Sequence, residues 1–582
     1  MIRSDTLSFL AAQRALVSRR RALGTIVTGA GAFLLAACGP SAGSTTSTST
    51  SPSSAPAAAP TSPPAAAPTT APAATSAPAA TSAPAATSAP PATQVLAAAP
   101  AGQPRSGGTL RSGVVGDPPS LEGHLFAGNN FETACLVFDQ LTNYDGNSQP
   151  QPMLAESWDV GTDYKQIKLN LRQGVQWHTG REFTSDDVKY NIMRAQDPKD
   201  GAGQFANQAR WFTSIDTPDK YTAILNSDQP RPLVFDFFEY FNIVDKETVE
   251  GPNAKTTTTG TGPFTFVEWV PGDHMLFNKN PNYWQSGRPY VDGVRVLITK
   301  DPQSLVAQLE GSAADMVRSP ALIDYNRLKS NSTYQAVLHP NPGTYFVIGF
   351  NTLNAPFDDK NVRQAFNYAF DRQRFVDTAT YGAATPYSLM WLPGSPAYEA
   401  SKANFYTFDL DKAQSILSAA GVSQVEMDFL MVTSAEGNIA SQMYQSDLAK
   451  LGVKLNIQVL ESAAWLDQVN NRKYVGGYWS PASYGQLSPG TTFGGTKAWD
   501  PYNNNEGFQS DAYAQLVTAA GSETDPVKQK QIYSQLNDLV LDESFVAVTG
   551  SSPQIMMTTA KVHGLTPTYH ASFSFTNAWM DS

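Results

Sequence analysis

Apolar and polar positions alternate at Lys168-Leu169-Asn170-Leu171 and at Val294-Arg295-Val296-Leu297-Ile298, which predicts β-strands, since successive side chains of a strand point to opposite faces. A shorter run, Gly108-Thr109-Leu110-Arg111, has the same pattern and leads into the turn Asp117-Pro118-Pro119-Ser120. Apolar residues at intervals of three and four predict helices over 131–141, 361–372, 411–420, 439–451 and 527–541. Thr184-Ser185-Asp186-Asp187-Val188 opens another helix, with Thr184 as its N-cap and an acidic first turn facing the helix dipole. Strands and helices interleave along the whole body. That order predicts α/β layers, neither a repeat nor an all-β sandwich.

Composition and charge narrow the class. The chain has 582 residues, of which 41% are hydrophobic and 16% charged. At about 150 residues per domain, this length holds three or four units. The first 104 residues contain Arg3, Arg14, Arg19, Arg20, Arg21 and Asp5, so of 40 bases and 51 acids in all, residues 105–582 carry 35 and 50. A body near −15 with no Lys/Arg cluster beyond Arg21 has no footprint for phosphate backbones, and nucleic-acid binding is set aside.

The amino-terminal segment has a different character. Arg19-Arg20-Arg21 precedes an uncharged run of about 15 residues that ends in Leu35-Ala36-Ala37-Cys38-Gly39, the layout of an export signal, too short for a spanning helix. Leu-Ala-Ala-Cys resembles a bacterial lipobox, which implies that Cys38 is acylated and becomes the mature N-terminus. Two arginines after Ser18 also resemble a twin-arginine signal, although Ala22 stands where an aromatic is usual, so the export route stays open. Residues 39–104 are almost wholly Ala, Pro, Ser and Thr, with Ala-Pro-Ala-Ala-Thr-Ser repeating at 71, 77 and 83. Such a segment buries too little apolar area to offset chain entropy and is expected to be a disordered tether. Fully extended at roughly 3.1 Å per residue, it would reach on the order of 200 Å. Cys135 is the only other cysteine; within Ala134-Cys135-Leu136-Val137-Phe138 it reads as a buried packing residue.

Several blocks of the body carry a resemblance. They are Pro152-Met153-Leu154-Ala155-Glu156-Ser157-Trp158 with Leu171-Arg172-Gln173-Gly174-Val175-Gln176-Trp177-His178 and Phe183-Thr184-Ser185-Asp186-Asp187-Val188; Gly260-Thr261-Gly262-Pro263-Phe264 with Asn280-Pro281-Asn282-Tyr283-Trp284; Asn351, Pro356-Phe357-Asp358-Asp359 and Val362-Arg363-Gln364-Ala365 up to Ala369-Phe370-Asp371-Arg372; and Asp411-Lys412-Ala413 leading to Ala419-Ala420-Gly421. In this order they resemble extracellular solute-binding protein family 5, which serves dipeptide, oligopeptide and nickel ABC importers. The resemblance implies a type II periplasmic-binding-protein clamp of two α/β lobes with an additional small domain. Residues 105–147, 256–345 and 550–582 would form the first lobe, 148–255 the additional domain and 346–549 the second lobe, with hinge crossings near 346 and 550. Closure over a solute, read by permease subunits, is the implied function. No catalysis and no cofactor are implied.

Candidate site residues follow from the same resemblance. Peptide-binding members carry a Trp, then three places later an Asp that holds the ligand ammonium; here Trp479 matches, but Ala482 stands at the Asp position and Ser483 follows. A buried ammonium without a carboxylate costs several kcal/mol, which counts against ordinary capture of a peptide N-terminus; a shift of several residues in the match, or an acid from elsewhere, would restore it. Tyr478, Trp479, Ser483 and Tyr484, with Phe493 and Trp499 further on, make the region aromatic and neutral, so an oligosaccharide or another neutral solute is the alternative to an oligopeptide. Across the cleft the matching positions are Ala127, Gly128 and Asn129, and Thr344, Tyr345 and Phe346 at the crossover. Replacing Trp479 by Ala is expected to weaken binding without unfolding the body.

Other residues have plainer readings. His178 belongs to six histidines without paired ligand spacing, so no metal is expected. Arg363 and Asp371, eight apart on one predicted helix, read as structural, and Asn503-Asn504-Asn505 reads as a loop. The body has no Gly-x-Ser-x-Gly elbow and no phosphate-binding loop, which counts against a hydrolase or nucleotide enzyme. A chemosensory binding protein would use the same clamp. The expected molecule is a monomeric, extracytoplasmic binder, lipid-anchored to the outer face of the cell membrane.

Overall fold

A computed structural model describes residues 103–125, 130–146, 148–197, 205–340, 343–483, 488–495, 497–568 and 572–581. The export segment with Cys38, the linker up to 102, and the candidates Ala127, Gly128, Asn129 and Tyr484 lie outside the described residues.

Two large mixed sheets organise the body. The first has seven strands in the order Tyr334–Leu338, Ile555–Thr559, Met316–Arg318, Thr109–Val115, Gly293–Thr299, His274–Lys279 and Phe264–Val270. Its centre is the parallel pair Thr109–Val115 and Gly293–Thr299, with Leu110 opposite Val294. The second has five strands in the order Val453–Leu460, Val425–Val432, Gly477–Ser483, Thr344–Phe350 and Val546–Ser551. Here Val546–Ser551 is buried at every position and Thr344–Phe350 at all but the first, the near-continuous burial of strands covered on both faces. A third, antiparallel sheet of Ala155–Val160, Gln166–Leu171, Thr222–Ser227 and Phe212–Asp219 alternates buried residues with exposed or half-buried ones along Gln166–Leu171 and packs its inner face on an aromatic-rich core of its own. Its helix Ser185–Gln196 begins as the cap predicts: the Asp187 carboxylate reaches back to accept the Thr184 backbone N–H at 2.9 Å.

The chain passes between the two large sheets twice, between Leu338 and Thr344 and between Ser551 and Ile555. These passages run side by side: His339 N–H donates to Gln554 O at 2.9 Å and Ser552 N–H to Thr344 O at 2.7 Å. The two large sheets are thus joined by two passages that are hydrogen-bonded to each other.

Three sequence expectations are corrected. The helix expected over 361–372 is two helices, Lys360–Tyr368 and Arg372–Ala379. The Asp371 carboxylate accepts the Arg374 N–H at 3.0 Å, so Asp371 caps a new helix and does not continue the old one. Arg363 and Asp371 therefore share no helix face, and Arg363 pairs with Glu543 at 3.0 Å. The helix expected over 131–141 ends at Val137, whose carbonyl accepts from Gly262 N–H, and buried Asp139 then accepts from Thr261, Tyr283 and Trp284. Cys135 is only partly buried: Leu136 and Val137 take the core side of that helix, and Cys135 lines a separate cavity of about 430 Å³ with Asn143 and Tyr144.

Candidate solute site between the two sheets

The strand Gly477–Ser483 pairs antiparallel with Thr344–Phe350, setting Trp479 opposite Ile348, Pro481 opposite Phe346, Ala482 opposite Tyr345 and Ser483 opposite Thr344. Because strand side chains alternate, this register sorts the candidates onto two faces. Trp479 and Phe346 share one face and stack, with ring centroids 5.1 Å apart and planes 18° from parallel. Tyr478 and Tyr345 fall on the other face, inside the core of the second lobe. The Tyr478 ring meets Trp465 and Tyr474 edge-on, at 5.5 and 5.7 Å, and its hydroxyl donates to Glu506. Gly349 makes this possible: a Cβ there would lie 2.3 Å from the Tyr478 ring.

Phe346 and Trp479 reach one wall of a cavity of about 230 Å³. With Pro481, Ser434 and Glu436 they form its five-stranded side; Ser319, Pro320, Leu322 and Ile555 form the opposite side, and Ser552, Pro553 and Gln554 of the second passage close it. The site therefore lies where the two sheets meet, beside both chain passages. Thr344 stands at this crossing through its carbonyl, while Tyr345 is directed away from the cavity.

The electrostatics of the cavity are simple. Glu436 is the only charged residue on its wall, and among the described residues its side chain has no ion pair or hydrogen bond. It stands in the first turn of the helix Ala435–Ala449, whose cap is formed by Ser434 Oγ accepting from Gly437 N–H at 2.9 Å. The Trp479 indole Nε1 is buried without an acceptor. The Glu436 carboxylate remains for a guest to pair.

The remaining candidates are structural. Phe493 and Trp499 pack against each other at 5.4 Å, with Trp391 and Phe545 around them, in the second lobe's core. The expectation that they border the solute is corrected, because the helix Pro489–Gly495 turns Phe493 inward. Asn504 holds its own loop through Asp500 O and Phe508 O, and Arg472 donates to Asn503 Oδ1 at 3.1 Å. His178 is clamped between backbone groups, its Nε2 3.0 Å from Gly262 O, and burial lowers its pKa. No group of His, Cys, Asp and Glu side chains among the described residues has the arrangement of a metal site. Sequence reasoning missed Glu436, because an acid two places after Ser434 reads as an ordinary N-terminal turn. It also missed 552–554, which carry no periodicity.

Known proteins share this architecture. The family model described as Bacterial extracellular solute-binding proteins, family 5 Middle, matches residues 149–522. Heme-binding protein A of Haemophilus influenzae is 25% identical over 449 residues, covering 70% of this chain and 80% of that protein. Glutathione-binding protein GsiB of Salmonella typhimurium is 27% identical over 427 residues, covering 70% and 81%. The structure of the binding protein AgaA in complex with agropinic acid, from A. tumefacien R10, superposes with a TM-score of 0.69 at 25% identity, over 82% of this chain and 99% of that one. With the model spanning well over half of the chain and the two-sheet clamp in place, this protein belongs to the bacterial extracellular solute-binding proteins, family 5.

Proposed function

We propose that this protein is the solute-capturing subunit of an ABC importer, and that its solute is of the oligopeptide class and is held through a cationic amino group by Glu436. The carrying observation is the partnerless Glu436 carboxylate on a cavity wall that has no Lys or Arg. A guest ammonium satisfies that carboxylate in a partly desolvated site, and hydrogen bonds to charged groups are worth about 1.5–3 kcal/mol. This supplies from a helix the acid that Ala482 does not supply from the strand. The peptide reading has support in GsiB, since glutathione is itself a tripeptide. A flat ring of a neutral sugar is less well served, because Phe346 already covers a face of Trp479. Closure about the paired passages would bury the guest and present the closed shape to permease subunits.

Calorimetry with a panel of tripeptides, free and N-acetylated, tests this. The free amine is expected to bind at least about tenfold more tightly, and Glu436→Gln to remove the difference. Equal affinity of both forms in the wild type would rule the reading out.

The same reading places the protein outside the cytoplasm, tethered by a lipid on Cys38. No helix among the described residues is long and apolar enough to cross a membrane, and acyl chains contribute about 0.8 kcal/mol per buried methylene. Cys38→Ser is expected to abolish labelling by radioactive palmitate and move the protein from the membrane fraction to the soluble one. Unchanged labelling would refute the anchor.

A further inference from the structure

The third sheet and its helices are fastened to the seven-stranded lobe. Arg194 and Glu122 form a buried ion pair at 2.8 Å, Asn242 Nδ2 donates to Gly123 O at 3.0 Å, and the His178 ring lies 3.0 Å from Gly262 O. The additional domain therefore moves with that lobe. One of its side chains nevertheless reaches the other lobe. Asp236, in the helix Val234–Tyr240, is 2% exposed. Its carboxylate accepts from Thr491 Oγ1 at 2.6 Å, from Ser488 Oγ at 3.1 Å and from Ser488 N–H at 3.2 Å, all on the second lobe. Its own side supplies a fourth donor, the Tyr144 hydroxyl at 2.9 Å. The backbones are close here: a Cβ on Gly490 would meet the Leu233 side chain at 2.7 Å, and one on Gly394 would meet Gly146 O at 3.0 Å.

We propose that Asp236 is a clasp that holds the two lobes shut, positioned away from the solute cavity and acting whatever the solute is. Three of its four donors come from the lobe that must move, so opening exchanges three charge-assisted hydrogen bonds for water. The carboxylate is too deep to be left unpaired cheaply, which ties its full set of donors to the closed arrangement. A contact made only in one state shifts the balance between states by its own differential free energy. Asp236 touches no residue of the cavity that holds Glu436; it is a positioning residue for closure.

Small-angle X-ray scattering from the unliganded full-length protein tests this without knowledge of the solute, so it can fail separately from the peptide reading. Asp236→Ala, and separately Ser488→Ala combined with Thr491→Val, are each expected to shift the equilibrium about tenfold toward open forms and to raise the radius of gyration. The triple variant is expected to open no further than either parent, because all three substitutions break one contact. If Asp236→Ala does not fold, the second-lobe variant decides alone. Wild-type scattering in a folded variant, or additive opening in the triple variant, would overturn the clasp.

Discussion

Trp479→Ala is expected to lower folding stability by about 4 kcal/mol and to abolish solute binding at the same time, as read by urea unfolding and by calorimetry with the tripeptide panel. Trp479 is 1% exposed, stacks on Phe346, and fills the space beside Gly437, where a Cβ would lie 2.9 Å from the indole. Truncation would leave a void at the end of the sheet and open the cavity wall into it. The sequence leads to an expectation of weaker binding in a body that still folds; the burial of Trp479 and its stacking on Phe346 add a loss of stability to that expectation, because one indole serves the core and the candidate site together. Trp479→Phe, which keeps an aromatic against Phe346, is expected to recover more than half of the stability. A loss below about 1 kcal/mol for the alanine variant would contradict the packing described here.

Glu506→Gln is expected to stabilise the protein by about 3 kcal/mol at pH 7 and not at pH 4. Burial pushes the Glu506 carboxyl from 4.5 up to about 8, against smaller opposing pulls from the Tyr478 hydroxyl and from Lys497 and Arg472. The unfolded chain loses this proton near the ordinary value, whereas the folded chain holds it until about 8. Stability from this group is therefore complete below pH 4.5 and declines by about 1.4 kcal/mol per unit as pH rises toward 8. Glutamine mimics the protonated form, keeps an acceptor for Tyr478, and removes that decline. Melting curves of the two proteins between pH 4 and pH 8 should diverge with rising pH; parallel curves would show that Glu506 titrates normally.

Legibility in the sequence followed the range of the interaction. Gln166–Leu171, Gly293–Thr299 and Pro526–Glu543 lie within a few residues of their predicted spans, since hydrophobic period reports directly on which face is buried. The break at Asp371 was hidden, because a helix period does not distinguish one long helix from two joined by a cap. Trp479 and Phe346 were singled out together with Tyr478 and Tyr345, but only the pairing of Gly477–Ser483 with Thr344–Phe350 decides which ring faces the cavity and which faces the core. Cys135 failed for a related reason. Helical spacing marks a stripe, and neighbours elsewhere in the chain decide whether that stripe is covered.

The amino-acid sequence by itself determined the α/β class, the kinship carried by its ordered blocks, and the contrast between an uncharged, proline-rich linker and an acidic body. Each of these is local, written in composition, period or contiguous motif. Only the tertiary structure decided that Glu436 faces the cavity between the two sheets and that Asp236 bridges the lobes. Both depend on segments far apart in the chain being brought within a few ångströms, and a side chain's electrostatic role is set by what stands beside it in space.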